Sequence, residues 1–539
     1  MFWTVSFLMS IAGFCFYANG VYLKWIRNPD IALKIKLKSI REIPFPAVTI
    51  CLPLFAKSNS IKMSSFVDIR NFSISRLLLP EDQSIIGAAA QACNPFVSSR
   101  ISRLLPKASS EKFIEHLLLT SSTVNEAFGA CFYDRMEVNC EKMMNRILFD
   151  TGLCYTYNIQ GYNTIFRKET ISKDFDLYKR MKIAKALVGP KQNETVNDDK
   201  PEKLYWTIFN GYESESDEVF PVRAAKNGVV TFYPKVNIID LPNICLRYGR
   251  GFRLILHSPN EIASFPHNEY FIPFNQERQL TIEAKFSHFS EELRIYAPEK
   301  RECYFENERK LKFFKSYSKT HCLLECLTTF TLKKCECVKF SMPRDSNTPI
   351  CNLTKISCYN EALHQWPYAD KQDAKTLMPC DCFQPCNDIS YSVKLDRTGD
   401  FESKIKNISK SALYAEIGIK FNDILIEEQD FFVGYKLQNF IADTGGLLGL
   451  FMGCSILSIV ELIYYLIKGI YNKYMKYKNK IKKTNFLKRA EHPVFIMSFH
   501  EDFRTKMSKL EFPENFRFND NDIYIVKRPL YERSLLNNN

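Results

Sequence analysis

Two long stretches of this chain are apolar almost throughout, and the sequence between them alternates. Phe2 to Leu23 carries no charge before Lys24, and Leu447 to Ile467 carries a single acid, Glu461. Roughly 20 residues at about 1.5 Å each match the ~30 Å core of a bilayer, so each stretch predicts a spanning helix. Between them, Ala47–Cys51, Cys245–His257, Leu280–Ala284 and Ile424–Leu437 are rich in β-branched and aromatic residues and predict strands. These lie far apart in the chain, as in a sheet that gathers distant segments. Tyr317 to about Lys333 has a helical period, whereas 189–201, polar and punctuated by proline, predicts a mobile, glycosylated surface loop.

The second apolar stretch is unlike a plain anchor. Gly445, Gly449 and Gly453 recur every four residues, a spacing that lets helices approach closely. Glycine weakens a helix, and an ionisable group in lipid costs about 2.5 kcal/mol or more, so glycines together with Glu461 need a reason. On one continuous helix at about 100° per residue, Asp443, Cys454, Ser458 and Glu461 fall on one side. The glycines alone fit a dimerisation face on a single anchor; the polar stripe turns the reading toward a helix that lines a pore.

Composition is that of a folded protein, with 46% hydrophobic residues in 539. The net charge of +13 is uneven, because Lys468 to Arg489 holds nine Lys or Arg and no acid. That run directly follows the second stretch, which places it in the cytoplasm against anionic lipid heads rather than on nucleic acid. The first stretch lacks a basic leader and exceeds the apolar core of about 7–15 residues of a signal peptide, although Ala18-Asn19-Gly20 has the look of a cleavage site. It reads as a helix. Cys15 and Cys454 sit in the apolar stretches, and the other 16 cysteines lie between Cys51 and Cys386, an even number that predicts eight disulfides in an oxidising compartment. Four sequons, at Asn71, Asn193, Asn352 and Asn407, fall in the same region. The expected order is a first transmembrane helix (1–23), an extracellular domain (24–439), a second transmembrane segment (440–467) and a basic cytoplasmic tail (468–539). Both termini then face the cytosol.

Residues 303–386 hold ten cysteines. On the predicted helix Cys322 and Cys326 stand one turn apart, about 6 Å along one face, and Cys380 and Cys382 in an extended run are separated by about 6.6 Å. Two ladders of matching pitch can be bridged twice, parallel or antiparallel. Zinc is the rival reading of Cys335-Glu-Cys337 and Cys380-Asp-Cys382, disfavoured by the nearby sequons.

Five motifs in order carry a resemblance: Phe45-Pro-Ala-Val-Thr-Ile-Cys51; Gly152-Leu-Cys-Tyr-Thr-Tyr-Asn158; Gly251-Phe-Arg-Leu-Ile-Leu-His-Ser-Pro-Asn-Glu261; the cysteine block opening at Glu302-Cys303; and Gly453-Cys454-Ser455 ahead of Ser458-Ile-Val-Glu461. Together they resemble the degenerin/epithelial sodium channel family, and most of all its insect pickpocket branch. The resemblance implies two transmembrane helices flanking a disulfide-rich α+β extracellular domain of palm, finger and thumb, the thumb being 303–386, in a homo- or heterotrimer. It implies the disulfides Cys51–Cys154, Cys131–Cys140, Cys303–Cys386, Cys322–Cys382, Cys326–Cys380, Cys335–Cys358 and Cys337–Cys351, with Cys93 and Cys245 left to pair by elimination.

The same resemblance makes Gly453, Cys454 and Ser455 a selectivity filter for sodium, Ala442 the small residue at the gate, and Gly449 the position associated with amiloride block. Asp443 and Glu461 become pore-lining acids. No cofactor is implied beyond the permeant ion, the extracellular ligand is unspecified, and membrane lipids are the other expected partner. The family's cytoplasmic segment with a His-Gly motif does not precede the first helix in this sequence, so the expectation is either an incomplete chain or a short isoform dependent on complete partners. The tail offers Arg528-Pro-Leu-Tyr531 but no Pro-Pro-x-Tyr motif. A single-pass receptor with a cleaved leader is the competing expectation, with its mature start near Gly20. An enzyme is not expected, for no His, Ser and acid arrangement, metal-binding helix or phosphate loop stands in a recognisable context. His257 and His321 read as surface residues of palm and thumb.

Overall fold

A computed structural model describes residues 2–27, 31–54, 57, 67–68, 73–74, 79–92, 98, 101–103, 112–175, 206–208, 211–212, 220–224, 228–243, 250–263, 269–372, 380–401 and 409–489. Asn71, Asn193, Asn407, Cys93, Cys245, the 189–201 loop and Arg528–Tyr531 lie outside the described residues. The chain forms two compact units, residues 1–447 and 448–539.

The first unit opens with the helix Phe2–Arg27, of which Phe2–Trp25 is long and apolar enough to cross a membrane. The chain then enters a nine-stranded sheet at Ile31–Ser39, an edge strand among the described residues. Its neighbour is Leu425–Val433, the last strand before the helix Leu437–Met452. The pair is antiparallel, with Ile31 opposite Val433 and Ser39 opposite Leu425. Lysines alternate with aliphatics along the edge strand. Lys36 pairs with Asp430 at 2.5 Å and Lys38 with Glu428 at 3.6 Å, while Leu33, Ile35 and Leu37 are 49%, 59% and 68% exposed.

Behind this pair the long strand Gln276–Phe289 runs parallel to both Leu425–Val433 and Glu416–Phe421 and antiparallel to Asp388–Asp400. A second, five-stranded sheet has the order Glu269–Pro273, Gly251–His257, Ala47–Cys51, Gly152–Tyr157, Met144–Phe149. Three of the five sequence motifs are therefore adjacent strands. Asn158, at φ 60°, closes the join between two of them: its amide donates to the Phe45 carbonyl at 2.5 Å and its carbonyl accepts from the Val222 N–H at 2.8 Å.

Alternation along Ala47–Cys51 sends its side chains to two cores. Val48 and Ile50 join Tyr157, Phe252, Phe232, Ile417 and Ile282 in a core shared by both sheets. Ala47 and Cys51 face a second core with the helix Phe113–Thr120 and with Phe313, Phe314, Leu324 and Phe340 of the cysteine-rich segment. All five residues of the strand are buried, and the one polar member, Thr49, is satisfied by its bonds to Thr156 and His257.

The helix predicted from Tyr317 spans Lys319–Cys335, capped by the Ser318 hydroxyl, which accepts from the His321 N–H at 3.1 Å, and closed by Glu336 in the left-handed region. Disulfides join Cys51 to Cys154, Cys131 to Cys140, Cys303 to Cys386, Cys322 to Cys382, Cys326 to Cys380, Cys335 to Cys358 and Cys337 to Cys351. The run bearing Cys380 and Cys382 is not extended as expected. The Cys382 N–H donates to the Cys380 carbonyl at 2.6 Å, a tight turn, and the helix is met by a turn rather than a strand.

The two histidines expected at the surface are buried. His257 is 3% exposed, its Nε2 2.9 Å from the Thr49 hydroxyl, which also bonds Thr156. His321 is fully buried, stacked on Phe314 at 3.9 Å, and its Nε2 accepts the Ile262 N–H at 3.2 Å. Each ring meets a polar group of a neighbouring strand or loop, so burial leaves it satisfied.

Close to His321, burial and then the Asp388 carboxylate push Glu261 from 4.5 up to about 7, and burial pushes Asp388 from 3.8 up to about 6. Both are held protonated in the folded chain at pH values where the unfolded chain has ionised. Their stabilisation is thus full below the unfolded values and is lost as pH rises through the folded ones. The unfolding temperature of the purified chain should fall between about pH 4 and about pH 7, and Glu261→Gln should flatten that fall; an unchanged slope refutes the assignment. A second expectation concerns Gly251, where an added Cβ would lie 2.3 Å from the Ile272 carbonyl oxygen. Backbone cannot yield as a side chain can, so Gly251→Ala should cost about 1–3 kcal/mol, read as a lowered unfolding midpoint.

Candidate functional site

The helix Leu437–Met452 stops because Gly453 adopts the left-handed conformation, φ 64°. Its N–H donates to the Gly449 carbonyl at 3.0 Å, the single bond of an αL cap. After Cys454 the chain restarts as the helix Ile456–Arg489, with Ser455 as its N-cap. The Ser458 N–H donates to the Ser455 hydroxyl and the Ser455 N–H to the Ser458 hydroxyl, both at 3.3 Å. This is a capping box built from two serines. Gly453-Cys454-Ser455 is therefore a stop, a link and a start, written in the residue types that each position favours.

The break corrects the expected stripe. Asp443, Cys454, Ser458 and Glu461 were aligned on one continuous helix, and a left-handed glycine followed by a fresh cap ends the angular count at Met452. Gly445 and Gly449 lie in the upper helix, and Gly453 lies outside it. Ser458 and Glu461 remain one turn apart on the lower helix. Neither helix qualifies alone as a membrane span by length and apolar content, but Leu437–Met452 and Leu457–Ile481 do when taken as one interrupted span.

In the first unit, Ala442 and Asp443 are exposed on the second turn of the upper helix. Asp443 accepts a hydrogen bond from the Tyr435 hydroxyl at 2.5 Å, and the Lys24 ammonium lies 4.8 Å from the Tyr435 ring centre. Trp25 stacks on Phe440, ring centres 4.5 Å apart and planes 22° from parallel. None of these four partners was legible in sequence, for Lys24 and Trp25 are some 400 residues from Tyr435 and Phe440. In the second unit, Gly449, Gly453, Ser455 and Glu461 are exposed and Cys454 is half-buried, with its thiol reduced. Of the glycosylation candidates, Asn352 is described: its side-chain oxygen caps a short 3-10 turn by accepting the Lys355 N–H at 3.2 Å.

Comparison with known proteins gives the family. Residues 1–465 match the family profile described as amiloride-sensitive sodium channel. Pickpocket protein 28 of Drosophila melanogaster is 23% identical over 530 residues, covering 92% of this chain and 79% of that protein. Acid-sensing ion channel 4-B of Danio rerio is 22% identical over 501 residues, covering 90% of this chain and 74% of that protein. A solved proton-activated chloride channel covers 86% of this chain and 97% of its own at 6% identity and a TM-score of 0.28, a likeness too loose to establish a shared fold. A profile match that runs from the first helix through the extracellular sheets and past the break at Gly453 makes this chain a member of the amiloride-sensitive sodium channel family, a membrane channel protein and not an enzyme.

Proposed function

We propose that the chain is a subunit of a sodium-permeable, amiloride-sensitive cation channel of the plasma membrane, assembled as a trimer with itself or related subunits and opened by an extracellular stimulus. The observation that carries this reading is the break at Gly453-Cys454-Ser455 in the middle of an apolar span. Non-helical backbone within a bilayer is tolerated only where protein or a water-filled cavity meets its polar groups. Three such breaks about an axis would present a belt of carbonyls and hydroxyls able to replace the hydration shell of a sodium ion.

On this reading Asp443 and Glu461 form rings of carboxylate above and below the belt that concentrate cations. Ala442 is the small residue that lets the upper helices close, and Gly449 leaves room for amiloride. The two sheets form the palm, residues 303–386 the thumb, and the intervening segments the fingers. Both termini face the cytosol, Asn71, Asn193, Asn352 and Asn407 carry glycans, and the basic tail meets anionic lipid.

Whole-cell recording of surface-expressed Ala442→Val tests this, since a bulkier side chain at that position should hold the channel open. The expected result is a standing sodium current blocked by amiloride. In that background Ser455→Thr, which keeps the capping hydroxyl, should retain sodium preference, and Ser455→Ala should shift the reversal potential. Silence of the surface protein, alone and with related subunits, or a current indifferent to Ser455, overturns the proposal.

A further inference from the structure

Four contacts concentrate where the extracellular domain meets the two apolar helices. The first helix ends with Lys24 and Trp25 held against Tyr435 and Phe440. Tyr435 is 7% exposed and lies between the last strand, which ends at Val433, and the helix beginning at Leu437. Its hydroxyl is bonded to Asp443 two turns further on. Lys436, the residue between Tyr435 and that helix, pairs with Glu292 of the 3-10 turn Glu291–Ile295 at 3.2 Å, an exposed ion pair.

These contacts act in series. A cation over the face of a phenol draws electron density from the ring and makes its hydroxyl a stronger donor, and a carboxylate is the acceptor that benefits most. Lys24 therefore supports the Tyr435–Asp443 bond without touching Asp443. The Trp25–Phe440 stack joins the same two segments through apolar surface, and aromatic pairs of this geometry are worth about 0.5–1.5 kcal/mol beyond their buried area. Asp443 is exposed, so its orientation depends on this one bond rather than on packing.

We propose that Trp25 and Tyr435 are positioning residues for the gate at Ala442. Trp25 seats the outer end of the first helix on Phe440, and Tyr435 fixes the direction of the Asp443 carboxylate beside Ala442, so the two helices shift together when the pore opens. This rests on the channel reading above, and two readouts keep the failures apart.

The first readout needs no conduction. In the purified full chain, Trp25→Ala should raise hydrogen exchange across 437–443 by about two- to tenfold, Trp25→Phe should restore protection, and Trp3→Ala, on the same helix, should change nothing. The second is current in the Ala442→Val background. Tyr435→Phe and Asp443→Asn should shift the resting open fraction in the same direction, and the double variant should shift it no further than either one. Unchanged exchange in Trp25→Ala overturns the contact itself. Raised exchange with additive effects of Tyr435→Phe and Asp443→Asn overturns the role at the gate. Raised exchange in a chain that carries no current at all overturns the channel reading and the gate role with it, leaving the helix contact standing.

Discussion

The chain enters and leaves its folded extracellular body through one pair of strands. Ile31–Ser39 follows the first apolar helix, Leu425–Val433 precedes the second, and the two are antiparallel neighbours in register over nine residues. A ladder of this kind resists shear along its length far better than parting at one end, because its hydrogen bonds load together in the first case and one at a time in the second. Movement of either strand is therefore passed to the other and so to both helices. The charges Lys36–Asp430 and Lys38–Glu428 fix its register, since a slip of one residue would turn the lysines to the opposite face.

Stiffness behind that connection comes from the way distant motifs converge. Ala47–Cys51 lies between Gly152–Tyr157 and Gly251–His257, paired with both, and it serves two cores at once. The Cys51–Cys154 bond crosses between two of these strands. On its far side the sheet meets the cysteine-rich segment through Phe313, Phe314 and Phe340. His321 reports that junction: it sits on a disulfide-bearing helix yet accepts a hydrogen bond from Ile262, just past the strand Gly251–His257.

Much of this was legible because the signals were local. The β-branched residues of Ala47–Cys51 announced a strand, though not its burial on both faces, and the period after Tyr317 located a helix whose true cap, Ser318, lies one residue on. What sequence missed depended on tertiary contact or on a single backbone angle. A histidine looks like a surface residue until its partners are known, and Thr49 and Ile262 are remote from His257 and His321. The stripe from Asp443 to Glu461 assumed unbroken helix, and one glycine at positive φ was enough to end it. The turn at Cys380–Cys382 was missed for a similar reason, because two residues of spacing suit a strand and a turn alike. For the candidate site, the glycine and serine were identifiable as special, whereas the tyrosine that holds Asp443 had no local signature.

The edge strand Ile31–Ser39 has a consequence for how such a protein is made. Among the described residues of a single chain no strand pairs its outer edge, which lies beside the exposed side chains of Leu33, Ile35 and Leu37. A long edge of that kind is a template for further strand pairing, and lysines on its other face are the usual deterrent. Here Lys36 and Lys38 are already engaged by Asp430 and Glu428, so that deterrent is weakened. A newly synthesised copy is consequently at its most adhesive before this edge is covered. Covering this edge, by another strand or another copy, would remove both the open backbone row and the exposed aliphatic face at once.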